Sequence, residues 1–213
     1  MTPCIIAIAG PSGSGKSLFA QTLVRAVRET APGLRLSVIA EDAYYRDQSG
    51  LPLAKREQVN YDHPDALEQE LLGEHLQALR AGCPVAVPVY DYARHTRSAQ
   101  TREVAPAPVI LVEGILLLAN PALRALFDIR FYVDTPLDLC LLRRIERDLA
   151  TRGRSLESII RQYEQSVRPM YHTFIRPSAE HADMVITGGG RNTVAVDVVR
   201  RLVQTHAPGA AGA

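Results

Sequence analysis

Tryptophan is absent and lysine nearly so: of 24 basic residues only Lys16 and Lys55 are lysines, and 22 are arginines. Cysteines number three (Cys4, Cys83, Cys140), an odd count with no Cys-x-x-Cys or Cys/His ligand spacing. This offers neither a disulfide framework nor a thiolate metal site, and it fits a reducing compartment. Long apolar runs are missing too. The run after Met1-Thr2-Pro3-Cys4 stops at Gly10 and follows no basic leader, and the run from Val109 to Ala119 is interrupted by Glu113. Neither is long enough to span a bilayer, so a cytoplasmic chain with no membrane partner is expected. Excess charge is also lacking. A net charge of +1 and a pI near 7.8 leave no general footprint for nucleic acid. Any polyanion must therefore meet a local basic cluster.

What is present describes a globular chain. A length of 213 residues, 46% apolar and 22% charged, suits one compact domain over residues 1–206, followed by an Ala/Gly/Pro tail at 207–213 expected to be flexible. Such a chain buries roughly 70% of its unfolded surface without staples. Short apolar, β-branched runs at Cys4–Ala9, Leu36–Ala40, 109–112, 129–133 and 184–186 read as strands. Helical spacing appears between and after them, over 16–28, 67–80, 137–150, 156–167 and 193–204. Strands apolar on both faces belong in a parallel sheet covered by helices, so the alternation predicts a doubly wound α/β fold. Two stretches break the pattern. Residues 43–64 are too polar and too long for an idle loop, and 85–92 alternate like an exposed hairpin with Pro88 barred from a central position. Both read as insertions shaping a second substrate site.

Gly10-Pro11-Ser12-Gly13-Ser14-Gly15-Lys16-Ser17 satisfies G-x-x-x-x-G-K-[ST] between an apolar strand and an amphipathic helix, the context a P-loop demands. Its backbone N–H groups would cradle phosphates, Lys16 would reach the β- and γ-phosphates, and the Ser17 hydroxyl would ligate Mg²⁺. A lysine kept where arginine was used almost everywhere else points to a need for a compact ammonium. Glu113, after four apolar residues, puts a carboxylate at a strand end and is the expected partner for Mg²⁺. A helix-capping role is the plainer alternative.

On the acceptor side, Glu41 and Asp42 end another strand, and either could serve as base for an attacking hydroxyl. Adjacent strand residues face opposite sides, so spacing does not choose between them. Tyr61-Asp62-His63-Pro64 sets an aromatic beside a carboxylate, suited to a sugar diol and a flat ring, although Asp before His-Pro is also a common turn former. Arginines at 143, 144, 147, 152, 154, 161 and 168 crowd a helix break at Gly153. For Arg152 and Arg154 this reads as a lid over phosphates, spanning about 147–162. For Arg143, Arg161 and Arg168 a solvated face neutralised by Glu146, Asp148, Glu157 and Glu164 is the simpler reading. The histidines at 63, 75, 172, 181 and 206 show no metal spacing.

Taken in order, Gly10–Ser17, Glu41-Asp42-Ala43-Tyr44-Tyr45-Arg46, Asn60–Ala66, Pro88–Arg97, Glu113-Gly114-Ile115 and Arg152-Gly153-Arg154-Ser155 resemble the uridine–cytidine kinase family of P-loop nucleoside kinases. The resemblance covers about residues 4–192. It implies transfer of the γ-phosphate of ATP or GTP to the 5′-hydroxyl of uridine or cytidine, in pyrimidine salvage. It makes Asp42 the base, Asp62 the ribose clamp, and Tyr45, Tyr61, Tyr90 and His95 the frame of the pyrimidine. Arg144, Arg147, Arg152, Arg154 and Gln162 fall on positions that touch nucleoside and phosphates. It further implies a homotetramer and feedback by CTP or UTP. One departure stands out: Thr187-Gly188-Gly189-Gly190-Arg191-Asn192 displaces a basic residue that the family places before two glycines. Kinases for other small alcohols, phosphoribulokinase-like or pantothenate-kinase-like, and a non-catalytic P-loop regulator are the competing readings. The first is disfavoured by the Tyr90–His95 segment. A regulator needs neither Asp42 at a strand end nor a clamp at Asp62.

Overall fold

A computed structural model of the chain describes residues 2–206; the expected flexible tail at 207–213 lies outside them. Among the described residues seven strands form: β1 (Cys4–Ala9), β2 (Leu36–Ala40), β3 (Val85–Asp91), β4 (Thr96–Val104), β5 (Val109–Gly114), β6 (Ile129–Asp134) and β7 (Met184–Thr187). Five pair in parallel in the order β2-β5-β1-β6-β7, and β3 and β4 make a separate antiparallel ribbon. The predicted doubly wound sheet and its hairpin insertion are both present. Pro88 sits in that two-stranded ribbon, where its missing N–H is tolerated.

The longest helices are α1 (Lys16–Thr30), α2 (Gln69–Arg80), α3 (Leu137–Thr151), α4 (Leu156–Gln162) and α5 (Thr193–Gln204). Because side chains alternate along β1 and β5, the sheet presents two apolar faces. Ile5, Ala7, Ile110 and Val112 pack with Leu72, Leu76 and Leu79 of α2. Ile6, Ile8, Val109 and Leu111 pack with Phe19, Leu23 and Val27 of α1 and with Val196, Val199 and Val203 of α5. With both faces covered, the central strands read as unbroken apolar runs.

Two expectations need correction. β7 is not apolar and enclosed on both faces: Met184 is 42% and Val185 52% exposed, because β7 is an edge strand with a partner on one side only. The helix expected to stop at 167 continues to 178 through two wide turns, 163–167 and 171–175, each followed by a short α segment carrying a proline, Pro169 and Pro177. A proline inside a helix lacks the N–H and crowds the carbonyl four residues back. Widening the preceding turn lets the rod pass both prolines.

Candidate active site

The C-terminal ends of β1, β2 and β5 open onto one pocket, roofed by the β3–β4 ribbon and the segment after α3. β1 leads into the loop 10–15, closed by a hydrogen bond from the Ser14 N–H to the Pro11 carbonyl (3.0 Å). Gly13 takes φ +85° with the backbone carbonyl of Cys140 packed where a Cβ would stand, so only glycine fits. α1 follows with no side-chain cap and no acid in its first turn, leaving its leading N–H groups for an anion. The 188–190 glycines press on this loop and on α1: a Cβ on Gly189 would crowd the Ser14 carbonyl, and one on Gly190 would collide with Leu18 and Phe19.

Lys16 Nζ lies 4.0 Å from Glu113 Oε2, and the Ser17 hydroxyl donates to the same oxygen at 3.0 Å. Burial pushes the Glu113 carboxyl above its usual range, against the pull of Lys16. Glu113 thus engages the P-loop, and its hydrogen bond links it to the first turn of α1 instead of capping the segment that follows it.

The two acids after β2 part company. Glu41 is fully buried away from the pocket, accepting from the Leu116 N–H (2.8 Å) and Gln69 Nε2 (3.3 Å), with Gln69 held in turn by Asn120 Nδ2 (2.7 Å). Burial raises its carboxyl to about 7. Asp42 lines the pocket, and its Oδ2 accepts from the Tyr92 hydroxyl at 2.9 Å.

Opposite the P-loop stands an aromatic chamber. The Tyr45 ring lies 5.2 Å from Tyr61 and 5.0 Å from Tyr90, and His95 stacks on Tyr61 at 5.7 Å with 29° between planes. The Tyr61 hydroxyl is shared between the carbonyls of Arg56 and His95. His95 is the only non-glycine with positive φ (+51°) among the described residues, a conformation that bends the ribbon's turn so that its ring faces inward. Burial and the nearby Arg154 lower the His95 pKa, which keeps the imidazole neutral. Asp62 is 4% exposed, its carboxyl raised by burial and opposed by Arg144. It faces the pocket as more than a turn former.

The arginines gather on one buried acid. Asp148 has no exposed surface, and around it lie Arg147 (2.8 Å), Arg152 (3.5 Å), Arg144 (3.7 Å) and Arg154 (3.7 Å). Asp148 is therefore not part of a solvated face. Arg144 also donates to Ser12 Oγ (3.0 Å) and to Gln162 Oε1 (2.7 Å), and Arg154 reaches that same oxygen. Arg143 is likewise corrected: it donates to the Gly13 and Ser14 carbonyls and braces the loop from behind. Arg161 pairs with Glu157 on the exposed surface, the arrangement expected for both.

The whole chain, beyond this site, resembles known proteins. Residues 5–195 match the phosphoribulokinase/uridine kinase family. Over 200 residues the chain is 50% identical to a uridine kinase of Shewanella amazonensis, covering 94% of each. Over 196 residues it is 50% identical to a uridine kinase of Cronobacter sakazakii, covering 92% of each. The chain belongs to the phosphoribulokinase/uridine kinase family. Its fold is also that of a solved D-glycerate 3-kinase from Cryptococcus neoformans, at TM-score 0.60 and 18% identity over 84% of this chain and 80% of that one. Membership makes this chain an ATP-dependent phosphotransferase.

Two residues of the site escaped the sequence reading, Tyr92 on the pocket wall and Asp148 buried behind the arginines. Tyr92 was legible only as one aromatic in an alternating strand. Asp148 carried a sharper signal, standing i+4 from Arg144 and four before Arg152, the one acid placed to serve both.

Proposed function

We propose that this chain transfers the γ-phosphate of ATP to the 5′-hydroxyl of uridine or cytidine. The observation that carries this reading is Asp42 placed between the P-loop and a chamber of Tyr45, Tyr61, Tyr90 and His95. ATP lies with its phosphates over 10–17, Lys16 neutralising charge on the β- and γ-groups. Asp62 accepts the ribose hydroxyls. Asp42 takes the 5′-hydroxyl proton as that oxygen attacks phosphorus and the bond to the β-phosphate oxygen breaks, giving the nucleoside monophosphate and ADP. Arg147, Arg152 and Arg154 close as a lid and stabilise charge on the moving phosphoryl, while Arg144 and Gln162 bridge the loop to the nucleoside side.

The hard oxygens of Ser17 and Glu113, 3.0 Å apart beside Lys16, suit Mg²⁺. When bound there, the ion neutralises phosphate charge and orients the γ-group. Family membership also supports GTP as an alternative donor, a cytoplasmic homotetramer in pyrimidine salvage, and feedback by CTP or UTP. No described helix is long and apolar enough to cross a membrane.

ADP release with ATP, Mg²⁺ and a nucleoside panel tests the reading. Uridine and cytidine are expected to turn over and adenosine to be poor, since Tyr61 and Tyr90 wall the chamber. Efficient adenosine turnover, or none with pyrimidine nucleosides, refutes it.

A further inference from the structure

Tyr92 has no part in the mechanism above, yet it touches opposite walls of the pocket. It opens the turn between β3 and β4, with Tyr90 edge-on to its ring at 5.2 Å. On one side the Arg152 guanidinium sits over the ring, 4.3 Å from its centroid. On the other the hydroxyl donates to Asp42 Oδ2 at 2.9 Å. Arg152 is itself tied to Asp148 at 3.5 Å, so one chain of contacts runs from the arginine cluster through Tyr92 to Asp42.

We infer that Tyr92 is a positioning residue that couples the two walls: its ring is the landing surface for Arg152, and its hydroxyl orients the Asp42 carboxylate. The inference rests on the kinase reading of this pocket. A hydrogen bond to Oδ2 fixes the rotation of the carboxylate and leaves Oδ1 to receive the acceptor's proton. Burial and the Asp42 charge push the Tyr92 hydroxyl pKa up, so it stays a donor. Phenylalanine would keep the landing surface and lose the orientation; leucine would lose both. Tyr92 is 39% exposed as a residue, so packing alone does not hold its ring between these two partners.

Two measurements separate the two ends. The first is trypsin cleavage after Arg152 and Arg154, followed by mass spectrometry with ATP and Mg²⁺ present and no nucleoside. Tyr92→Leu is expected to be cut about five times faster than wild type and Tyr92→Phe at the wild-type rate, the scale of a lost cation–π contact. The second is steady-state turnover with uridine. Tyr92→Phe is expected to lower kcat about tenfold, as loss of a hydrogen bond to a charged group does, with KM for ATP within about twofold. In an Asp42→Asn background the same change has no further effect, because the hydroxyl acts through that carboxylate. A Phe variant that turns over like wild type, an equal loss in the Asn background, or a Leu variant as resistant as wild type overturns the inference. Wild type that turns over no pyrimidine nucleoside removes the kinase reading and the coupling to Asp42 with it, and the cleavage rates still decide the Arg152 contact.

Discussion

Glu41 Oε2 accepts a 2.8 Å hydrogen bond from the Leu116 N–H, in a pocket so closed that the side chain has no exposed surface. This contact pins the turn after β2 to the segment after β5 and leaves the next residue, Asp42, facing the pocket. Two adjacent acids thereby part: Glu41 takes a structural task in the interior, and Asp42 stands on the pocket wall, where the proposed chemistry needs it.

The structural task has a pH signature. Glu41 titrates near 7 in the folded chain, raised chiefly by burial, against 4.5 when free. Below pH 4.5 folded and unfolded chains both hold the proton and stability is unaffected. Between 4.5 and about 7 the unfolded chain releases it while the folded chain keeps it, so stability falls as pH rises, by roughly 3 kcal/mol in all. Urea unfolding of wild type minus Glu41→Gln should show this slope, and a difference independent of pH removes the assignment. Asp42→Asn should instead cut kcat by about 10²–10⁴-fold and leave stability and ATP affinity nearly intact. Greater loss of turnover in Glu41→Gln would reverse the two roles.

Lys16→Arg is expected to lose most turnover despite keeping its charge. Lys16 approaches Glu113 at 4.0 Å with a side chain only 12% exposed, space suited to an ammonium and tight for a planar fork. Turnover within a few-fold of wild type would show that the near-exclusion of lysine elsewhere has no bearing on this position.

The fold was legible because each of its parts is local. The apolar runs of β1 and β5, the glycine-spaced loop and the helical spacing of α1 each declare themselves within a few residues. Asp42, Glu113 and the tyrosines were legible as strand ends and motif members. Asp148 was misread because an acid at helical spacing from arginines looks the same on the sequence whether solvent or protein surrounds it, and only the packing of α3 against the 152–162 segment distinguishes them. Glu41 stayed ambiguous for a related reason: which of two neighbouring side chains turns inward depends on the backbone of a short turn. The two wide helical turns also escaped, since Pro169 and Pro177 on the sequence mark a helix end as readily as a helix that bends past them.

His95→Ala should raise KM for uridine and cytidine alike, by about five- to a hundredfold, leaving KM for ATP unchanged. A neutral imidazole has one donor and one acceptor, so it can meet uracil or cytosine by changing tautomer. The lowered pKa sets the sign of the pH response. The ring stays neutral as pH falls from 8 to its ordinary 6.5, and nucleoside KM should rise only below that value. Unchanged kcat/KM for both nucleosides in the alanine variant would show that His95 does not read the base.

Asp148→Asn tests the arginine cluster. Asparagine keeps the volume but removes the carboxylate that lies within 4 Å of Arg144, Arg147, Arg152 and Arg154 alike, leaving four guanidinium groups around a neutral amide. Breaking a buried pair from one side costs about 3–5 kcal/mol, because the remaining charges stay desolvated. The arginines should splay toward solvent, so stability falls and KM for ATP rises together. Arg161→Ala supplies the contrast: its pair with Glu157 lies on the exposed surface, where loss costs at most about 0.5 kcal/mol. Urea unfolding of both variants, with ATP kinetics alongside, separates the cases. If Asp148→Asn were no less stable than Arg161→Ala, the acid would contribute no more than a surface charge does, and the organisation of the proposed lid would have to come from Gln162 and Ser12.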